Sequence, residues 1–392
     1  MNIDQIKDME YLFEEEHLLF HKNVSEFAQT ELAPGYLKRA QIHGFDKEIL
    51  KKIADFGVFG FRIPEKYGGQ GDAMDFRALG IACEELGRAD YNVTSTLPLT
   101  ANAAQIVLNY AQPSLVEEVL PKFVAGDLLV GVALTEAHCG CDAAAIKTTA
   151  VKDGDYYVLN GEKSANSFVD APYHIVYTKT DPAAGHKGVS AFLVHVDDSP
   201  TIVKSVFGDI GMKPLKRGAI TFKNHRIPKE TLLHEEGKGF RMALVGEDAS
   251  RPLMVLQCLG CAQAALDDAI AYSKQRTAFG KPIAAYQGVS FPIAEAATYI
   301  EACKLLCYKA LWKCDHGIEF TKEANMVKWW GPKLAFQTIK ECLIIHGHFG
   351  YCDEYTLAQR MVDVMGFEIG GGTEQLNKLL VAQSLIGREV RM

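Results

Sequence analysis

The chain has 392 residues, enough for two or three cooperating domains, and its 48% hydrophobic and 23% charged residues form an ordinary globular balance. A formal net charge of −8 argues against a nucleic-acid-binding protein, although a few local Arg and Lys residues suffice to hold an anionic ligand. The opening MNIDQIKDMEYLFEEEH has no charged segment leading into an apolar one, and no run of about 18 apolar residues follows anywhere, so a cytoplasmic protein with no membrane partner is expected.

Residues 1–125 are predicted to be helical. Leu12, Phe13, Leu18, Leu19, Val24, Phe27 and Ala28 recur at near-helical spacing, as do Ile49, Ile53, Phe56 and Phe59. Pro64 and the cluster Gly68-Gly69-Gln70-Gly71 interrupt the pattern.

Over residues 126–238 the period shortens to that of strands. Thr148 to Val158 reads as a hairpin turning at Lys152-Asp153-Gly154-Asp155, and Asn160-Gly161 reads as a second turn. Ile175-Val176-Tyr177, Ala191 to Val194 and Ala219 to Phe222 read as short strands. From residue 239 to 392 helices return, with long apolar stretches at Leu253–Tyr272, Val289–His316 and Ala324–His346. The order is all-α, all-β, all-α, which is an α+β fold. No 20–50-residue repeat appears, and no GxGxxG follows a strand, so a dinucleotide-binding βαβ unit is not indicated.

The ten cysteines are scattered through apolar segments. Cys258 and Cys261 form a CxxC with no second pair or His cluster beside it, whereas a zinc site takes about four ligands. No metal is expected, and buried thiols in a reducing compartment account for the pattern.

Several stretches carry chemistry when taken together: Ile63-Pro64-Glu65-Lys66-Tyr67-Gly68-Gly69, Leu134-Thr135-Glu136, Tyr272 through Gln287, and Gly372-Thr373. In this order and at these distances the chain resembles the acyl-CoA dehydrogenase family from end to end. The resemblance implies an N-terminal α-helical domain, a middle β-domain and a C-terminal four-helix-bundle domain. It also implies FAD, an acyl-CoA thioester substrate, a homotetramer and an electron-transferring flavoprotein as partner.

The same resemblance implies residue roles. Leu134, Thr135 and Cys141 fall in the family's LTEPxxGSD loop beside the flavin ring, where a polar-edged ring needs fixed donors. Here Ala137 replaces the Pro and Cys141 the Ser, and a thiol is the weaker donor. Asn160 to Ser167 resembles NGxKxWIT, with Ser167 at the position that touches flavin N5 and Ala165 where a Trp usually covers the ring. Alone, this stretch reads equally as a hairpin with a polar turn.

Arg276, Phe279 and Gln287 match YxxxRxxFGxxIxxxQ, which in the family reaches the FAD of a neighbouring subunit, an Arg fork suiting paired phosphate oxygens. Alone, the stretch is a helix, a turn and a helix. Thr373 and Gln375 match the flavin-contacting GTxQ. Asp248 and Arg251, at i and i+3 on one helical face, match a pair that contacts the CoA arm; the bland alternative is a surface ion pair. Ile344 and His348 depart from the family pattern, with no evident consequence.

The family's catalytic glutamate is missing. It should directly precede Gly-Thr, but Gly371 stands there, leaving a substrate-facing residue with no side chain. The alternative position, just before the CoA-binding arginine, is Ser250, and a neutral serine is no proton acceptor without a partner base. Asp90, in Gly87-Arg88-Ala89-Asp90-Tyr91-Asn92-Val93-Thr94, falls on the helix lining the family's acyl pocket and is the expected replacement; otherwise it pairs with Arg88 or caps a helix. Glu374 is a further candidate.

A base so displaced suits the γ-proton of an enoyl thioester, with hydride leaving another allylic carbon. The expected reaction is therefore 1,4-dehydrogenation of cyclohex-1-ene-1-carboxyl-CoA to the cyclohexa-1,5-diene, as in family members that use an aspartate. Gly370, Gly371 and Ala165 leave room for a ring. An enoyl-CoA reductase and a non-catalytic acyl-CoA-binding paralogue are the alternatives.

Overall fold

The structure is a computed structural model in which residues 13–71, 75–387 and 389 are described. Leu12, placed in the first helix by its spacing, lies outside the described residues.

The first helical layer begins with α1 (Glu15–Phe27), whose inner face buries His17, His21 and Val24 at helical spacing. Helix α2 (Lys47–Asp55) starts where the Asp46 carboxylate accepts the Glu48 N–H, and it buries Ile49, Leu50, Ile53 and Ala54. Pro64 and Gly68, the latter at φ +84°, then turn the chain toward α3 (Phe76–Ala89), capped by Asp75. Nearly all of α3 is buried, because helices cover it on every side. It stops at Asp90, whose extended backbone (φ −144°, ψ 101°) instead caps the short helical turn Tyr91–Thr94. Helices α4 (Thr96–Tyr110) and α5 (Pro113–Val124) complete the layer.

The middle is a β-sheet of eight strands: β1 (Val130–Ala133), β2 (Thr149–Asp153), β3 (Tyr156–Asn166), β4 (Tyr173–Lys179), β5 (Val189–His195), β6 (Ile202–Val206), β7 (Gly218–Pro228) and β8 (Leu232–Leu233). The main path runs β6-β7-β3-β2-β4-β5-β8, and β1 pairs in parallel with β4. One face carries its own core of Tyr157, Leu159, Val176, Phe192, Val194, Ile220 and Phe222. The other face, with Ile175, Tyr177, Ala191 and Leu193, joins the helical core.

The β2–β3 hairpin turns at Gly154-Asp155 as the sequence indicates. Asn160-Gly161 does not turn. Strand β3 runs straight through it, and Gly161 (φ +139°) sits at a shift in the β3–β7 register, packed against Thr148 so closely that a side chain there would clash. The Asn-Gly signal marks a bulge.

The C-terminal layer consists of α6 (Gly239–Gln275), α7 (Gln287–Asp315), α8 (Thr321–His346), α9 (Thr356–Ile369) and α10 (Glu374–Ile386). Helix α6 packs against α3, α7, α8 and α9 and is the spine of the molecule. It crosses α3 at close range because Gly87 faces the Gln257 backbone, where even a methyl group would sit 2.7 Å from the carbonyl oxygen. Helix α6 is also long and apolar enough to cross a membrane, but 78% of its apolar window is buried inside the protein, as befits a core helix. The architecture is the α+β fold expected, with helical ends around a central sheet.

Candidate functional site: a ring shelf beside a glycine turn

Two β-domain segments form a shelf. The Ser164 N–H donates to the Thr135 carbonyl at 2.8 Å, fixing the loop after β1 against the end of β3. Beneath it, Glu136 and Lys163 form a buried ion pair at 2.8 Å, and Glu136 also accepts the backbone N–H groups of Lys147 and Thr148. Burial alone would raise the Glu136 carboxyl, but the hydrogen bond and charge of Lys163 hold it at about 2. Burial pushes Lys163 down to about 8 against the pull of Glu136, so both groups are charged at neutral pH. Glu136, His138 and Cys139 lie within 4.8 Å of one another, yet the Glu136 oxygens are already taken by Lys163 and backbone donors, so the cluster holds the loop together without needing a cation.

On this base the open edge carries Leu134, Thr135 and Ser167, all partly buried, and the exposed Ala165 at φ +55°. The far end of the chain joins them. Thr373 accepts the Leu376 N–H and so starts α10, while its hydroxyl lies 3.7 Å from the Cys141 thiol, 232 residues away in sequence. Gln375 is exposed on the first turn of α10. Among the sequence-selected flavin residues, Cys141 and Thr373 are in direct contact. The polar groups of Cys141 and Thr373, brought together here, are of the donor type that the rim of a flavin ring takes. Arg276, Phe279 and Gln287 lie elsewhere, on the segment joining α6 to α7, and all are exposed. Phe279 is 97% exposed at φ +47°, a bare aromatic on a rigid corner.

Next to the shelf is the turn Gly370-Gly371-Gly372 between α9 and α10. Gly371 and Gly372 have φ +74° and +95°, values that disfavour any side chain. The carbonyls of Gly371 and Gly372 meet positive or amide donors. Lys328 of α8 donates to Phe367 O at 2.6 Å and to Gly372 O at 3.1 Å. Asn377 donates to Gly372 O and Thr373 O. Arg251 of α6 reaches Gly371 O with its Nε at 3.4 Å. The Lys328 ammonium is buried, which pushes it down to about 8.

Asp248 and Arg251 do share one face of α6 and pair at 2.6 Å, but Arg251 is only 6% exposed, so this is no surface ion pair. Asp248 also accepts the Thr321 hydroxyl, tying α6 to the start of α8. Ser250 is spent on a hydrogen bond to Gly246 O within the helix. Glu374 faces Lys333 and Lys378 on α8 and α10, and the hydrogen bond from Lys378 holds its carboxyl down.

Asp90 is fully buried. Its Oδ1 accepts the N–H groups of Asn92 and Val93, and its Oδ2 receives the Nε of Arg39 at 2.6 Å. Arg88 pairs with Asp267 instead. Burial raises the Asp90 carboxyl despite the opposing Arg39 charge. The turn that Asp90 caps packs against both α6 and α9, and the Tyr91 ring lies 5.9 Å from Phe367, four residues before Gly371.

Sequence reasoning did not single out Lys328, Asn377, Arg39 or Glu247. Lys328 carried a legible signal, a lone charge on an otherwise apolar helical stripe. The others are defined only by the fold.

The three domain models of the acyl-CoA dehydrogenase family match residues 14–127 (N-terminal domain), 131–225 (middle domain) and 237–386 (C-terminal domain). The chain is 35% identical to the 3-(aryl)acrylate reductase of Clostridium sporogenes, covering 95% of this chain and 99% of that one. It is 34% identical to the caffeyl-CoA reductase–Etf complex subunit CarC of Acetobacterium woodii, over the same shares. Its structure resembles that of butyryl-CoA dehydrogenase from Megasphaera elsdenii with a TM-score of 0.90 at 33% identity, covering 95% and 99% of the two chains. The family models and these relatives define a flavoprotein oxidoreductase. The chain belongs to the acyl-CoA dehydrogenase family, and it is an FAD-dependent enzyme.

Proposed function

We propose that this enzyme dehydrogenates an alicyclic enoyl-CoA, converting cyclohex-1-ene-1-carboxyl-CoA to cyclohexa-1,5-diene-1-carboxyl-CoA by 1,4-elimination, with Asp90 as the base. The observation that carries this reading is the pairing of a side-chain-free turn at Gly371 with a fully buried carboxylate on the adjacent helical turn. Bound FAD supplies the hydride acceptor. Arg251 and Asp248 bind the thioester arm. Asp90 takes the γ-proton. Three of its roughly four lone-pair directions are occupied, leaving one on Oδ2. Burial favours its protonated form and so strengthens it as a base.

Around this centre the flavin contacts fall to Leu134, Thr135, Cys141, Ser167, Thr373 and Gln375. Arg276, Phe279 and Gln287 serve the cofactor of a neighbouring subunit in a cytoplasmic homotetramer. The bare Phe279, Tyr351, Ile369 and Ile386 support burial against other copies of the chain. An electron-transferring flavoprotein is the electron partner, in keeping with the Etf complex named for the Acetobacterium woodii relative.

The test is anaerobic titration of the yellow holoenzyme with cyclohex-1-ene-1-carboxyl-CoA. Wild type bleaches, whereas Asp90→Asn retains FAD and thioester binding but bleaches roughly 10²–10⁴-fold more slowly, the range of a lost general base. Bleaching at the wild-type rate in that variant removes Asp90 from the reaction.

The relatives favour a second reading, because two of them are named as reductases. In that reading the site works in the reducing direction, an enoyl thioester gaining hydride at the β-carbon from reduced FAD and a proton at the α-carbon from a protein acid. Saturated product formed from an enoyl-CoA with chemically reduced holoenzyme, and no diene formed in the forward direction, selects that reading.

A further inference from the structure

Helix α6 carries a second carboxylate that no role above uses. Glu247 lies one helical turn before Arg251, at i and i+4, and three residues before Ser250, so all three share one side of α6. Its Oε2 is buried without a hydrogen-bond partner. Such an oxygen is costly to hold unless it has work to do.

The groups that feel its charge are Arg251 and Lys328, whose nitrogens hold Gly371 O and Gly372 O, together with Asp248 and the Tyr177 hydroxyl of β4. Glu247 shares its side of α6 with Arg251, the residue that reaches Gly371 O, which puts it beside the glycine turn. Gly371 cannot readily take back a carboxylate of its own. Its φ is +74°, and a Cβ there would lie 3.0 Å from both Lys328 Cε and Met254 Sδ.

We propose that Glu247 is a proton-transfer residue of this site, taking and returning the α-proton of a saturated acyl thioester from the α6 side. This rests on the reading that the site binds an acyl-CoA. It gives the chain a conventional α-carbon chemistry beside the γ-proton chemistry assigned to Asp90. In the step, the α C–H bond breaks, the proton passes to the Glu247 carboxylate, and the electron pair remains as the thioester enolate. Return of the proton restores the substrate, so exchange needs no oxidant. Burial raises the Glu247 carboxyl against the opposing charges of Arg251 and Lys328, which makes it the stronger base.

The experiment incubates holoenzyme with cyclohexanecarboxyl-CoA in D2O and follows deuterium at the α-carbon by mass spectrometry, with thioester binding measured separately by calorimetry. Wild type incorporates deuterium. Glu247→Gln binds the thioester but exchanges at least ~100-fold more slowly, and Glu247→Asp recovers part of the rate with a shifted pH profile. The bleaching titration described above reads Asp90 and this exchange reads Glu247, which separates the two assignments. Exchange at the wild-type rate in Glu247→Gln overturns the proposal, as does a wild type that binds the thioester without exchanging. Failure of wild type to bind any acyl-CoA overturns the binding-site reading and this proposal together.

Discussion

The ring shelf and the glycine turn lie side by side, yet they are built on opposite principles. On the shelf, side chains satisfy one another, with Glu136 and Lys163 paired below and the Thr135 and Ser164 backbones joined above. At the turn, backbone carbonyls are held by Lys328, Asn377 and Arg251, and the turn itself contributes no acid. The shelf is thus held by its own side chains, whereas the turn carries no carboxylate and two acids, Asp90 and Glu247, lie on neighbouring helical elements.

The largest effect expected from breaking this contrast is at the shelf. Glu136→Gln leaves Lys163 buried without its counter-charge and costs about 3–5 kcal/mol, read as a drop in thermal midpoint and loss of bound FAD. Unchanged FAD retention in that variant means the ion pair does not support the shelf.

At the turn, Lys328→Met strips the donor from two carbonyls. With about 1–3 kcal/mol for each group left unsatisfied, and Asn377 still serving Gly372 O, the expected cost is about 1–3 kcal/mol. If the turn borders the thioester as proposed, weaker acyl-CoA binding should accompany it while FAD content holds. Equal loss of FAD and thioester binding erases the distinction between the two regions.

Acid sharpens the comparison. The Glu136 carboxyl is depressed in the folded state relative to its ordinary value of 4.5, so its stabilisation is present above about pH 4.5 and fades as pH falls toward about 2. FAD release followed by fluorescence should rise across that window, and Glu136→Gln should flatten the dependence.

The smallest effect is at the junction of the two regions. Thr373→Val removes the α10 cap and the Cys141 contact, and should cost about 1 kcal/mol with a small shift of the flavin absorption band.

The shelf was legible in the sequence because its residues are contiguous. Leu134 to Asp142 and Asn160 to Ser167 are continuous stretches, and Thr373 follows a run of three glycines. The three-layer order was legible from the change of period. The Asn160-Gly161 misreading arose because a bulge and a turn use the same residues for the same positive φ. The partners of Asp90 were hidden for a different reason. Its neighbour Arg88 was the obvious counter-ion, but the chain delivers Arg39 from 51 residues away. The charge of Lys328 stood out in its helix, but its partners, Phe367 O and Gly372 O, are brought to it only by the packing of α8 against α9.

A crystal structure of the holoenzyme with cyclohex-1-ene-1-carboxyl-CoA bound tests the account most directly. It should place Asp90 Oδ2 about 3–3.5 Å from the γ-carbon, a near-attack distance. An Asp90 still closed off by Arg39, with no ring carbon inside that range, contradicts the relocation of the base.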